Sequence, residues 1–95
     1  MGILRLFKRK PERDIFAERR EHLLAHGRIT DGRIIDTETT GRGEIVFYLY
    51  TLNGVDFESS ELLDEEQQTD LLKYAPGAKV GVRYDPKNQG NSMLV

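Results

Sequence analysis

Cysteine is absent from the sequence, which excludes disulfides and thiolate metal sites. That absence fits a reducing cytosol, and a cytoplasmic location is expected. Long apolar runs are missing too: none approaches the roughly 18–20 residues a helix needs to cross a bilayer. The first residues are basic but lack both an apolar core segment and a small-residue cleavage site, so secretion is not expected. Catalytic motifs are equally scarce. No Gly-Lys-Ser/Thr loop follows a strand-like run, and no serine or threonine has a credible histidine–carboxylate partner set. No catalytic activity and no cofactor are therefore expected.

What remains fits one small domain. A chain of 95 residues buries roughly 65% of its unfolded surface, enough for one modest core. Its net charge of −2 hides an asymmetry. Residues 1–28 carry eight basic and four acidic side chains, a balance of +4, whereas residues 29–95 carry six basic and twelve acidic ones, a balance of −6. A weakly acidic body thus bears a basic arm, the pattern of an interaction tail.

The arm is residues 1–10, MGILRLFKRK. Ile3, Leu4 and Phe7 recur at helical spacing, with Leu6 beside them and Arg5, Lys8, Arg9 and Lys10 elsewhere. Such a segment can set apolar side chains into a lipid headgroup layer while each cation near an anionic surface contributes about 1 kcal/mol. Arg5, Phe7, Lys8, Arg9, Lys10 and Arg13 are the candidate membrane or anion surface. The competing reading is a terminus that docks on the body or stays disordered. Gly2 is not a convincing myristoylation site, because Leu6 stands where Ser or Thr is required.

Residues 11–26 read as a helix. Pro11 suits the first turn, Glu12 and Asp14 favour the positive end of the helix dipole, and Gly27 follows the end. The apolar stripe is thin: Ile15, Phe16, Leu23 and Leu24, interrupted by Arg19 and Arg20. From Gly27 the period changes to two, and residues 27–95 are read as the barrel domain. Residues 28–37 form a first strand and residues 38–43 a flexible connection. Residues 44–52, EIVFYLYTL, are the strongest strand, apolar on both faces, as in a central strand or one curling inside a barrel. Asn53-Gly54 supplies the positive φ angles of a two-residue hairpin turn. That turn fixes the register, with Leu52 opposite Val55, Tyr50 opposite Phe57 and Tyr48 opposite Ser59.

Asp64 with Gln67 three residues on forms a capping box that opens a short helix running to Lys73 or Tyr74. Leu71 and Leu72 are expected to anchor it, and Pro76-Gly77 ends it. Val80, Val82 and Tyr84 line one face of a fourth strand, which Pro86 stops. Residues 88–91 read as a turn and residues 92–95 as a short last strand. The fold class is mainly β (α+β): a five-stranded antiparallel barrel with a short helix between strands 3 and 4 and an N-terminal helix. The β-β-β-α-β-β order is that of an OB-like barrel, and an SH3-like barrel gives nearly the same pattern.

Gly32-Arg33-Ile34-Ile35-Asp36, the aromatic strand Val46-Phe47-Tyr48-Leu49-Tyr50-Thr51, the turn Asn53-Gly54-Val55-Asp56-Phe57 and Gly77-Ala78-Lys79-Val80-Gly81-Val82-Arg83-Tyr84-Asp85-Pro86 follow in order. The set resembles a widespread bacterial domain family of unknown function, marked by a Gly-x-x-Val-x-Val-x-Tyr-Asp-Pro pattern and often found beside transmembrane helices. The resemblance covers about residues 28–95. It departs at Gln89, where the family commonly has proline after the asparagine, and in lacking membrane spans. It implies a fold and transfers no catalytic residue.

Other candidates have plainer explanations. His22 and His26 stand four apart on a helix, a spacing that can ligate one metal ion, with Glu18 one turn earlier. The order Glu21-His22 is not the zinc-protease motif, no third ligand is evident, and histidines near a helix end suit the dipole anyway. No metal site is expected. Asp64, Glu65, Glu66 and Asp70 lack the alternating ligands of a calcium loop and fit a helix N-terminus instead. Phe47, Tyr48, Tyr50 and Phe57 suggest a base-stacking platform, yet Asp56, Glu58 and Glu61 flank them on an acidic body. A core role is favoured over nucleic-acid binding. Gly41, Gly43, Gly77 and Gly81 read as turn and close-packing residues. The expected function is a non-enzymatic interaction module with an unidentified protein partner, peripheral to an anionic membrane through its arm. A nucleic-acid-binding OB-like domain is the alternative.

Overall fold

The computed structural model describes residues 15–95. The basic arm, residues 11–14 of the expected helix and the side chains of Ile15 and Phe16 lie outside the described set. Helix α1 (Ile15–His26) leads into β1 (Arg28–Thr40), β2 (Gly43–Leu52) and β3 (Val55–Leu62). A one-turn helix α2 (Glu65–Gln68) and a 3-10 turn (Leu71–Tyr74) then connect to β4 (Lys79–Asp85) and β5 (Asn88–Leu94). All four ladders are antiparallel, in the order β3-β2-β1-β4-β5. The five strands curl into a nearly closed barrel.

The curl begins in β1, whose first half pairs with β4 while its second half pairs only with β2. Between the two halves Ile35 is extra: Ile34 faces Tyr48 and Asp36 faces Phe47. Such a bulge bends a strand and increases its twist. At the bend Ile34 donates to Ala78 and accepts from Gly77 at 2.9 and 2.8 Å, tying β1 to the loop before β4.

The β2–β3 hairpin has the expected register, Leu52 to Val55, Tyr50 to Phe57 and Tyr48 to Ser59. Asn53 and Gly54 take φ angles of 52° and 80°. The Tyr50 and Phe57 rings stack 5.4 Å apart, a cross-strand pair contributing about 0.2–1 kcal/mol. Proline cannot adopt the Asn53 conformation. Asn53→Pro is therefore expected to lower stability by more than about 1 kcal/mol, measured as a shift of the urea midpoint. An unchanged midpoint would mean that the turn does not set the pairing.

Inside, Val46, Tyr48, Tyr50 and Leu52 of β2 meet Ile34, Val80, Val82 and Leu94, with Leu63 and Tyr74 closing one end. Only this row of β2 is buried; Ile45, Phe47 and Leu49 on its other face are half-buried. Helix α1 rests on the outside of β4 and β5. Of its expected stripe, Leu23 is buried and Leu24 is exposed. The helix ends where the Gly27 N–H meets the Leu23 carbonyl at 2.8 Å.

Three expectations are corrected. The 38–43 connection is mostly strand: β1 continues to Thr40 and only Gly41-Arg42 turn. The Thr40 hydroxyl donates to the Gly43 carbonyl at 2.8 Å and accepts from the Arg42 N–H at 3.1 Å, which tightens the turn. Residues 88–91 are likewise strand, because the reversal occurs earlier at Pro86-Lys87, where Asp85 accepts from the Lys87 N–H at 2.8 Å. The helix after β3 breaks in two. Its capping box is present, with Gln67 N–H to Asp64 at 2.7 Å and Asp64 N–H to Gln67 at 2.8 Å. The Thr69 hydroxyl then donates to the Glu66 carbonyl at 2.7 Å, and the chain restarts as the 3-10 turn. The restart rotates Leu71 and Leu72 outward, to 55% and 84% exposure, so Leu63 and Tyr74 anchor the segment instead.

Candidate functional site

The barrel is not closed by a ladder between its end strands. Among the described residues β3 and β5 share no backbone pairing, and side chains bridge them. From β2, Tyr48 and Ser92 join their hydroxyls at 2.8 Å, and the Tyr50 hydroxyl donates to the Gln89 carbonyl at 2.6 Å. From β3, Glu61 accepts from the Leu94 N–H at 3.0 Å and from the Gln67 side-chain amide at 3.3 Å. The seam is legible in the sequence only as two tyrosines and a flanking acid. Burial pushes the Tyr48 and Tyr50 phenols above their usual range, against the opposing pull of hydrogen bonds that include Ser92.

These positions decide the aromatic candidates. Tyr48 and Tyr50 are buried and offer no face to a stacked base, whereas Phe47 and Phe57 are half-buried. Tyr50 stacks between Phe57 and Tyr84, whose centroids lie 5.4 and 6.5 Å away. The acidic group divides as well. Asp64 is occupied with its cap, while Asp70 opens the 3-10 turn without a side-chain cap bond.

His22 and His26 do meet, with ring centroids 5.1 Å apart. The residue that sequence reasoning missed is Asp85, whose Oδ2 lies 3.2 Å from His22 Nε2 and fastens α1 to the β4–β5 turn. The Lys87 backbone N–H, followed by the contact with His22, holds the Asp85 carboxyl below its usual value. Glu18 and His22 line a shallow groove with Arg19, Asn88, Gly90 and Asn91. Among the described residues no three His, Cys, Asp or Glu side chains converge as a metal site would require. The six candidate surface residues Arg5, Phe7, Lys8, Arg9, Lys10 and Arg13 all fall outside the described residues.

Residues 25–95 match the family described as a domain of unknown function, DUF3592. The chain belongs to this family. No curated protein and no solved structure matches it. The DUF3592 region takes in all five strands and the side-chain seam but only the last two residues of α1. His22 and the basic arm therefore precede the family region. Among the described residues no helix is long and apolar enough to cross a membrane.

The His22–Asp85 contact joins a half-exposed imidazole to a carboxylate, and side-chain contacts of this kind at a surface contribute little. A His22→Ala/His26→Ala chain is expected to keep its thermal stability within about 1 kcal/mol and to hold no more zinc after dialysis than the parent. A stoichiometric metal lost on the double substitution would overturn that expectation.

Proposed function

We propose that this DUF3592 chain is a non-enzymatic interaction module of the cytoplasm, which binds a protein partner on its outer surface and touches an anionic membrane through its basic arm. The observation carrying the protein-binding half is the Leu71–Leu72 pair. Two adjacent leucines, 55% and 84% exposed, stand on a one-turn support beside Lys73, whose ammonium lies over the Tyr74 ring. Apolar residues scattered singly on a surface are ordinary, and it is the adjacency of these two that we read as a docking feature. The barrel interior is filled by its own side chains, which directs recognition to the outside. We read the barrel as OB-like, from its strand order and the approach of β3 to β5, and its source as bacterial.

Pull-down from the native cell with the intact chain tests the first half. A partner retained by the parent and lost by Leu71→Ser/Leu72→Ser supports the assignment; a partner held equally by both removes it. Vesicle co-sedimentation tests the second half. The four cations Arg5, Lys8, Arg9 and Lys10 supply a few kcal/mol at low salt, and one such segment by itself gives marginal, reversible binding. It should need anionic lipid, fall as salt rises and vanish when Lys8, Arg9 and Lys10 become Glu. Equal sedimentation with neutral and anionic vesicles, or none with either, rejects the membrane half.

A further inference from the structure

The free edge of β3 is a second surface with a definable partner. β3 pairs with β2 on one side and, among the described residues, with no strand on the other. The two-residue turn fixes which backbone groups point where. Leu52 and Val55 flank that turn and exchange hydrogen bonds, so the alternate residues Phe57, Ser59 and Glu61 direct their N–H and C=O groups at β2. Asp56, Glu58 and Ser60 aim theirs at the open edge. Burial agrees with an opening there. The inward side chains Phe57, Ser59 and Glu61 are only half-buried, whereas Val46, Tyr48 and Tyr50 in the matching row of β2 are buried. The Glu61 bond to Leu94 blocks one end of the gap, while Asp56, Glu58 and Ser60, whose backbone groups face the edge, are exposed.

The charge on this edge selects the occupant. Asp56 and Glu58 are exposed, and the part of β5 that Tyr50 reaches at Gln89 (Asn88, Gln89, Gly90, Asn91) is uncharged. The Thr51 hydroxyl of β2 donates to one Asp56 oxygen at 2.6 Å and fixes that carboxylate over the β2–β3 pair, so Glu58 is the carboxylate nearer an incoming strand. Antiparallel pairing of two copies would bring like charges together, a device by which natural edge strands avoid self-association. An incoming strand with basic side chains meets complementary charge instead.

We propose that an extended, Lys- or Arg-bearing segment of a partner protein adds as a strand to the free edge of β3 across residues 55–60. Backbone hydrogen bonds would supply the affinity and the two carboxylates the selectivity. This rests on the reading of the chain as an interaction module, but uses a different surface from Leu71–Leu72.

The test titrates the intact chain with a capped six-residue peptide alternating lysine and valine, followed by backbone amide shifts. Expected are saturable shifts centred on Asp56, Glu58 and Ser60 that weaken as salt rises. A lysine–glycine peptide of equal charge, with poor strand propensity, should bind about tenfold more weakly. Glu58→Lys should weaken binding by about tenfold or more. Glu58→Pro removes an N–H that β2 does not use, so the hairpin persists while strand addition is lost. Shifts centred elsewhere, equal binding of both peptides, or unchanged binding by a folded Glu58→Pro chain would overturn the proposal. So would concentration-dependent shifts at the same amides without peptide, which would mark a second copy as the occupant. Leu71→Ser/Leu72→Ser should bind the peptide normally. If the cellular partner depends on those leucines and no peptide binds, this inference falls while the interaction-module reading stands.

Discussion

A Tyr48→Ala chain is expected to lose about 3–5 kcal/mol of stability, the range for emptying a large aromatic site in a core. Small domains have about 5–15 kcal/mol in all, so the variant should be largely unfolded at modest urea. Tyr48 is fully buried, its ring lies 6.1 Å from that of Tyr50, and its hydroxyl meets the buried Ser92 hydroxyl. Tyr48→Phe separates the two contributions. It keeps the ring but deprives Ser92 of a buried partner, at a cost of about 1–3 kcal/mol. Adding Ser92→Ala should then cost less than it does in the parent, because the group left unpaired is gone. Strict additivity of the two changes would mean that the hydroxyl contact contributes nothing.

The same phenol sets a pH dependence. Burial raises the Tyr48 and Tyr50 values above the ordinary 10.0, so the unfolded chain releases these protons first. Their contribution is complete below about pH 10, declines as the pH rises above it, and is gone once the pH passes the folded values. The urea midpoint should therefore fall on the alkaline side of about pH 10, and less steeply in Tyr48→Phe. Parallel profiles for the two chains would place the titration elsewhere.

The parts of the fold that the sequence announced are those set by local chemistry. Asn53-Gly54 admits one tight turn, and the turn fixes every pair of the β2–β3 ladder. Asp64 and Gln67 satisfy each other across four residues, so the start of α2 needed no tertiary information. Where the outcome depended on distant partners, local signals misled. Thr39, Thr40 and Asn88 are polar and turn-prone, yet cross-strand pairing holds them extended; residues 89–91 form an irregularity of β5 between the Asn88–Asp85 and Ser92–Tyr84 pairs. Leu71 and Leu72 look like anchors until the break at Thr69 turns them outward. Asp85 reads as a strand end, and only the docking of α1 brings it to His22, 63 positions earlier. The seam was hidden for the same reason, since Glu61 and Tyr50 find their β5 partners 33 and 39 positions away.

Gly32 carries the second large expectation. It stands in the part of β1 that pairs on both sides, opposite Tyr50 in β2 and Val80 in β4, three residues before the bulged Ile35. A β-carbon there would lie 2.7 Å from Val82 Cγ2 and 2.8 Å from the Leu49 carbonyl oxygen. A side-chain methyl can swing aside, but a ladder carbonyl moves only with its strand. Glycine at this position lets β1 approach β2 closely where the sheet begins to curl. Gly32→Ala should therefore cost about 1–3 kcal/mol as an overpacked site, and Gly32→Val more. Gly90 is the control, because nothing lies within 4 Å of a β-carbon placed there, and Gly90→Ala should stay within about 0.5 kcal/mol. Urea unfolding of the three variants measures the contrast. Equal midpoints for Gly32→Ala and Gly90→Ala would show that β1 has room at this point and that the bulge alone makes the bend.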